Sequence, residues 1–217
     1  PINNAVKVID DLIERGTVRY GWLGVLLTAP DKPTATELGI AEQKGAFLGH
    51  VFTDGPGAKG GLRSGDLVTA IDGKPIANLD QLVRVVADLP VGKSVMFTVL
   101  RGAKSLQLKV VIEERKEAVA ADYSKLWPGV EIAALSADEA AKLSIPKGVK
   151  GFKVISVIAR SPASAASLRL GDVITEVNGT ALKDASDFYR MINEAGKIQL
   201  TVYRNGAKLA ALALARN

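Results

Sequence analysis

The stretch Gly21-Trp22-Leu23-Gly24-Val25 carries the residue types best suited to hold an anion. A glycine between bulky apolar residues lets the backbone turn so that successive N–H groups point at one spot. Such a concavity of amides binds anions, and the terminal carboxylate of a peptide is one anion that fits it. Leu23, Gly24 and Val25 therefore form a candidate carboxylate-binding loop. The alternative is a plain strand entrance, because many strands begin with a glycine and an aromatic residue.

The chain contains few of the side chains that commonly act as nucleophiles or general bases. The chain has one histidine, His50, and no cysteine. A serine-protease triad needs His, Asp and a Ser in a glycine-rich turn, whereas His50 falls on a predicted strand and no such turn is present. Ser124-Lys125 lies in a charged stretch, and adjacent residues do not define a dyad. We therefore predict no catalytic residue, no metal site and no cofactor in this chain.

Composition narrows the class of protein further. The 217 residues carry a net charge of +5, with 47% hydrophobic and 5% aromatic residues. The cations are scattered among acids without interleaved aromatics, which speaks against nucleic-acid binding. No apolar run approaches the roughly 20 residues of a membrane span. The chain opens at Pro1 without Met, so we expect either an excised piece of a longer protein or a processed product.

Hydrophobic periodicity and turn residues predict short elements in a repeated order. Asn78 is placed to cap a helix, and Asp72-Gly73 is a hairpin signal. The predicted helices cover 3–15, 34–43, 58–62 and 79–89, and the predicted strands cover 22–28, 46–53, 67–71, 94–101 and 106–112.

The same order of elements occurs twice. Gly61–Ile76 reads GLRSGDLVTAIDGKPI and Ser167–Leu182 reads SLRLGDVITEVNGTAL, with six identical positions at an offset of 106. The register sets Leu82 against Phe188 and Val86 against Ile192. With one residue inserted, 22–25 meets Trp127-Pro128-Gly129-Val130. Each copy is predicted to be α+β, a small and mainly antiparallel curved sheet or partial barrel capped by two helices.

The Gly-Leu-Arg-x-Gly-Asp signature followed by Ile-Asp-Gly-Lys-Pro-Ile resembles PDZ domains of the bacterial type. The opening helix running into Gly-Trp-Leu-Gly-Val resembles the junction between the protease domain and first PDZ domain of HtrA/Deg-family (DegP-like) serine proteases. The resemblance implies four segments: the last helix of a missing protease domain at 1–16, a PDZ domain at 17–113, a linker at 114–125 and a second PDZ domain at 126–217.

The resemblance also implies a function. PDZ domains of this family add exposed hydrophobic or C-terminal segments of unfolded proteins to the sheet as an extra strand. Leu23, Gly24 and Val25 would receive the carboxylate, and Trp22, Leu27, Leu82 and Val86 would line the groove. The parent would be a serine endoprotease of protein quality control, located in the periplasm or cell envelope. The resemblance also allows the parent to form oligomers through its protease domain.

The second copy differs at the loop. Gly129, Val130, Phe188 and Ile192 would form its groove, but Pro128 replaces Leu23 and has no N–H. Either the second groove has lost a donor and binds differently, or the Leu23 amide pairs within the sheet and Pro128 changes nothing.

Two other functions stay open at this point. The grooves or sheet edges could serve assembly with other subunits, or the chain could be an independent adaptor. The helix predicted over 3–15 has an apolar face that needs a partner, which argues against the adaptor.

Overall fold

The computed structural model describes residues 13, 16, 18–194, 196–209 and 212–216. Two open, mainly antiparallel sheets of 7 strands each form the larger part of the fold. This confirms the prediction of two α+β units. Most of the helix predicted over 3–15 lies outside the described residues. No helix in the described part of the chain is both long and apolar enough to cross a membrane.

The first sheet has the strand order β2-β3-β4-β6-β7, with β2 at one edge. Three helices accompany it, and each overlaps one of the helices predicted over 34–43, 58–62 and 79–89. The strands are β2 (Val25–Leu27), β3 (Ala46–Phe52), β4 (Asp66–Ile71), β5 (Lys74–Pro75), β6 (Ser94–Arg101) and β7 (Lys104–Val111), preceded by β1 (Gly21–Trp22). The helices are α1 (Lys32–Glu37), α2 (Pro56–Lys59) and α3 (Leu79–Asp88).

Local signals account for the element that faces the site. The Asn78 side chain accepts a hydrogen bond of 3.0 Å from the Gln81 amide, so it caps α3 as predicted. Asp72 and Gly73 both have positive φ, the conformation that a two-residue hairpin requires. That hairpin, together with β5, leads the chain from β4 into α3. The position of α3 beside the sheet thus follows from short-range sequence.

The second sheet repeats this plan, with the order β10-β11-β12-β14-β15 and β10 at its edge. Its strands are β10 (Val130–Ala134), β11 (Phe152–Val157), β12 (Val173–Val177), β13 (Thr180–Ala181), β14 (Lys197–Arg204), β15 (Ala207–Lys208) and β16 (Leu212–Ala215). Its helices are α5 (Ala137–Lys142), α6 (Pro162–Ala165) and α7 (Ala185–Glu194).

A buried ion pair recurs in both copies. Asp66 accepts two hydrogen bonds from Arg101, of 2.7 and 2.8 Å, and one of 2.9 Å from the Arg63 amide. Asp172 and Arg204 make the same paired contact at 2.7 and 2.8 Å. Asp172 likewise accepts a hydrogen bond of 2.8 Å from the Arg169 amide, so each aspartate binds both a nearby amide and a distant arginine.

The connection between the copies is ordered. It contains β8 (Glu113–Glu114), α4 (Glu117–Ala120) and a 3₁₀ turn at Tyr123–Lys125. β8 pairs with β1. The next strand, β9 (Leu126–Trp127), pairs with β3 of the first sheet, although the repeat places Trp127 in the second copy. The backbone of the connection is thus tied to the first copy at both ends.

The two copies share buried surface. Every residue of β3 is buried. Ala46 and Leu48 point into the core of the first copy, while Phe47 belongs to the core cluster of the second. Leu38, Ile40 and Leu67 of the first copy join that second cluster as well. The strand therefore has no solvent-facing side, unlike an ordinary half-exposed antiparallel strand.

Candidate functional site

In the loop between β1 and β2, two backbone carbonyls accept hydrogen bonds, whereas two backbone amides donate none to the described residues. The Gly57 amide donates to the Leu23 carbonyl at 2.8 Å, and the Phe52 amide donates to the Gly24 carbonyl at 2.8 Å. The Leu23 and Gly24 amides donate no hydrogen bond to another described residue. An arrangement in which the Leu23 amide pairs within the sheet is therefore not the one found. Free, adjacent amides are what an anion-binding loop requires.

Gly24 is fixed as glycine by its surroundings. Its φ is +71°, and a Cβ there would meet the Gly55 Cα at 3.1 Å and the Pro56 Cδ at 3.2 Å. Both the backbone conformation and the space favour a residue without a side chain. The start of α2 thus braces the loop from behind, and the Gly57 amide holds it in place.

A cavity of about 540 Å³ joins this loop to the edge strand β2 and the helix α3. The seven residues that the sequence assigns to the first groove all line it: Trp22, Leu23, Gly24, Val25, Leu27, Leu82 and Val86. β2 is paired on one side only, to β3, so its other side is open to an added strand. The cavity therefore has the parts of a strand-addition site: a free edge, an apolar wall and an amide loop.

Several lining residues were not predicted from the sequence. Val83 on α3 also lines the cavity and is 55% exposed, whereas Leu82 and Val86 are 1% and 7% exposed. A ligand therefore has more side chain to cover at Val83 than at its neighbours. The helical spacing of Leu79, Val83 and Val86 could have indicated this residue, because positions three and four apart share a face.

The connection between the copies forms another wall of the cavity. Ala120 and Tyr123 line it, and the Tyr123 ring lies 6.4 Å from the Phe52 ring, which in turn lies 5.5 Å from Trp22. No signal in the sequence placed the charged segment 114–125 against the first groove. The groove is consequently built from the first copy together with residues that follow it.

Arg115 is the one charged residue among the described residues that line this cavity. Its amide donates to the Tyr20 carbonyl at 3.2 Å, which keeps it beside the β1 end of the loop. Its guanidinium lies 3.5 Å from Glu117 and is half exposed. A cation at this rim favours an anionic ligand, although an exposed charge contributes modestly.

The four residues predicted for the second groove are placed in equivalent elements but are all buried. Gly129 and Val130 lie where β10 begins, and Phe188 and Ile192 lie on α7. Phe188 and Ile192 are 0% exposed. The Gly129 carbonyl accepts hydrogen bonds from the Ile158 amide and the Ser161 hydroxyl.

His50 lies between the copies rather than in a pocket. It is fully buried on β3, and its Nε2 lies 3.8 Å from a Glu131 carboxylate oxygen on β10. The imidazole lowers the pKa of that carboxyl below its ordinary value, against the opposing effect of burial. Neither nitrogen of the His50 imidazole has a hydrogen-bond partner among the described residues. Nor do the described residues contain a group of three or more His, Cys, Asp or Glu placed to hold a metal ion.

Comparison with known proteins agrees with this architecture. The sequence matches the PDZ domain family over residues 51–101 and again over 129–212. It is 33% identical over 198 residues to the "Probable periplasmic serine endoprotease DegP-like" of Brucella suis, covering 91% of this chain and 39% of that protein. It is 32% identical over 219 residues to the protein of the same name from Ectopseudomonas mendocina, covering 95% of this chain and 45% of that protein.

A solved structure titled "HtrA-type protease AlgW with decapeptide" shares 33% identity, with a TM-score of 0.47, over 54% of this chain and 36% of that one. This chain spans less than half the length of the two DegP-like relatives it matches. The match to the PDZ family covers both copies of the repeat, and the copies have the predicted sheets and helices. The chain belongs to the PDZ domain family, with two PDZ copies in tandem, and it is similar over most of its length to the DegP-like endoproteases.

Proposed function

We propose that the first PDZ copy binds the C-terminal or exposed hydrophobic segment of an unfolded protein as an added strand on β2. The observation that carries this is the convergence of all seven predicted residues on one cavity beside free amides. The peptide carboxylate is received by the loop amides of Leu23 and Gly24, with Val25 continuing the line of donors into β2. The terminal side chain lies against α3.

The interactions available set the strength of this binding. Each net hydrogen bond along the edge contributes roughly 0.5–1.5 kcal/mol, and a bond to the charged carboxylate about 1.5–3 kcal/mol. Association and ordering of the peptide oppose this by several kcal/mol. We therefore expect dissociation constants of about micromolar, which suits a module that samples many unfolded chains.

The test is a titration of the chain with a fluorescent peptide that ends in an apolar residue, followed by anisotropy. A matched peptide with a C-terminal amide serves as the control. The free acid should bind saturably, and amidation should weaken binding about tenfold or more, because one charge-assisted hydrogen bond is lost. Equal affinities for acid and amide would show that the loop does not read the carboxylate. A lack of saturable binding, together with oligomers that grow with concentration, would favour the assembly function instead.

The similarity to DegP-like endoproteases supports a role for this binding. We propose that the region recruits unfolded substrates to, and regulates, a serine endoprotease domain in a longer parent protein. The relatives are named periplasmic, and we place the parent in the same compartment. Assembly of the parent into oligomers through its protease domain belongs to the same proposal. Expression of the parent with a deletion of residues 18–216 should then lower cleavage of unfolded substrates while leaving cleavage of a short chromogenic peptide in place.

A further inference from the structure

The groove-facing side of α3 has an equivalent on α7 that is covered rather than open. The repeat offset of 106 sets Val83 against Tyr189 and Ala87 against Asn193. Val83 is 55% exposed, whereas Tyr189 and Asn193 are each 8% exposed. The same face of the same helix is thus available to a ligand in the first copy and buried in the second.

The first copy covers this face. The Tyr189 ring packs edge-on against Phe47 of β3, with ring centroids 5.5 Å apart. Tyr189 also lies against Gly65, where an added Cβ would come within 2.7 Å of the ring. The Asn193 side-chain amide donates to the Ser64 carbonyl at 2.9 Å. Aromatic packing and a buried hydrogen bond therefore hold α7 on the first copy.

A segment of the first copy also accepts hydrogen bonds from both walls of the second groove, β10 and the start of α7. We call residues 32–40, which comprise α1 and the turn after it, the docking segment. The Ala134 amide at the end of edge strand β10 donates to the Thr34 hydroxyl at 3.0 Å. The Ala185 amide, where α7 begins, donates to the Glu37 carboxylate at 2.9 Å, and the Ser186 hydroxyl donates to the Glu37 carbonyl at 3.1 Å.

One of these donors, the Ala134 amide, is of the kind that a bound strand would need. An extended peptide pairs with the unpaired amides of an edge strand, and in β10 the Ala134 amide is already engaged by Thr34. Leu38 and Ile40, at 4% and 7% exposed, add apolar contact by entering the core cluster of the second copy. Thr34 itself is completely buried. The docking segment thus supplies both the polar and the apolar interactions of a ligand.

We propose that the groove of the second PDZ copy is a docking site for residues 32–40 of the same chain, and that a peptide enters it only when the two copies separate. Docking and peptide binding at the second copy compete because both use the Ala134 amide and the apolar surface of the groove. Among the described residues, the groove of the first copy stays open in the docked form. The docking contacts exist without any peptide and do not depend on the proposed function, whereas the competition rests on it.

Amide hydrogen exchange on the full chain tests the docking half without a ligand. The Ala134 and Ala185 amides should exchange slowly in the wild type. Thr34→Lys places a charge in a fully buried position and should speed their exchange by about tenfold or more. Thr36→Lys is the matched control, since Thr36 lies on the same helix but is exposed, and it should leave both amides slow. Equal exchange in the wild type and Thr34→Lys would overturn the docking.

Isothermal titration with the apolar C-terminal peptide tests the competition. The wild type should bind no peptide at the second copy, whereas Thr34→Lys should gain a site there. Peptide binding at the second copy of the wild type with Ala134 and Ala185 still protected would refute the competition. So would a failure of Thr34→Lys to gain a site once its amides exchange freely.

A second variant guards against misfolding of Thr34→Lys. Glu37→Ala alters an exposed position and removes the acceptor of the Ala185 amide. That amide should then exchange about threefold faster or more, while the amides inside the first sheet stay unchanged. An unchanged Ala185 rate in this variant contradicts the docking role of Glu37.

Discussion

Val83 on α3 offers a direct test of the first groove, because its side chain lines the cavity and is still exposed. Its side chain is 55% exposed, so shortening it to alanine alters little of what the folded protein already buries. A peptide in the groove would cover the exposed part. Val83→Ala should therefore weaken binding with almost no change in stability.

The structure sets the size of the effect. Valine to alanine removes two methyl groups, and a buried CH₂-sized group contributes about 0.8 kcal/mol, giving about 1.6 kcal/mol in full. Scaling by the 55% that a ligand can still cover leaves about 0.9 kcal/mol. This corresponds to a dissociation constant raised about fourfold to fivefold. The free energy of unfolding should change by less than about 0.5 kcal/mol, as for most exposed substitutions.

The assay is anisotropy titration with the apolar peptide, paired with urea denaturation of the same samples. Val111→Ala is the matched control, since Val111 is 51% exposed on β7 and does not line the cavity. It should leave both the affinity and the stability unchanged. An unaltered affinity for Val83→Ala, or an equal loss in the two variants, would show that the peptide does not lie against α3.

Three further substitutions probe the loop, the buried ion pair and the contact between the copies. Gly24→Ala should weaken carboxylate binding and lower the free energy of unfolding in urea by about 1–2 kcal/mol. The control Gly73→Ala should cost less, because Gly73 has a similar φ of +75° but open space where the Cβ would be added. Equal losses in the two variants would mean that the loop moves to accommodate the methyl group. Asp66→Ala leaves the Arg101 guanidinium without its carboxylate partner and should lower the free energy of unfolding by about 3 kcal/mol. This is the low end of the range for buried ion pairs, because the Arg101 side chain is 29% exposed. A loss under about 1 kcal/mol would contradict this. The pKa of Glu131 is lowered beside His50, so the ionised carboxylate contributes to the stability of the fold above the unfolded-state pKa of 4.5. This contribution is lost as the pH falls through the lower folded-state pKa. Thermal unfolding of the wild type should therefore lose more stability below about pH 4.5 than that of Glu131→Gln, and parallel pH curves would rule the contact out.

The sequence was sufficient for features set over short range. Asp72-Gly73 fixes a hairpin through its positive φ values, and Asn78 caps α3 through a bond to a residue three positions away. The internal repeat then carried these assignments to the second copy. The residues proposed for the first groove came from the resemblance to PDZ domains, and the structure brings all seven to one cavity because β2, the loop and α3 are each specified locally.

The two Asp–Arg ion pairs could not be predicted from local sequence signals. Arg101 and Arg204 stand at equivalent places in the repeat, but their partners Asp66 and Asp172 lie 35 and 32 residues away. Only the pairing of β4 with β6 brings Asp66 and Arg101 together. Nothing in the spacing of the charges identifies which aspartate an arginine will meet.

What the sequence determined by itself is that the chain repeats one set of elements and that Pro128 removes an amide donor from the second loop. What only the tertiary structure decided is that the first copy covers the helix face of the second groove. Val83 and Tyr189 are both compatible with a groove wall, and their exposures of 55% and 8% differ because the first copy packs on the second. Thr34 and Ala134, which meet in that contact, lie 100 residues apart. Burial of a surface depends on which other surface reaches it, and a helix or strand pattern specifies only its own faces.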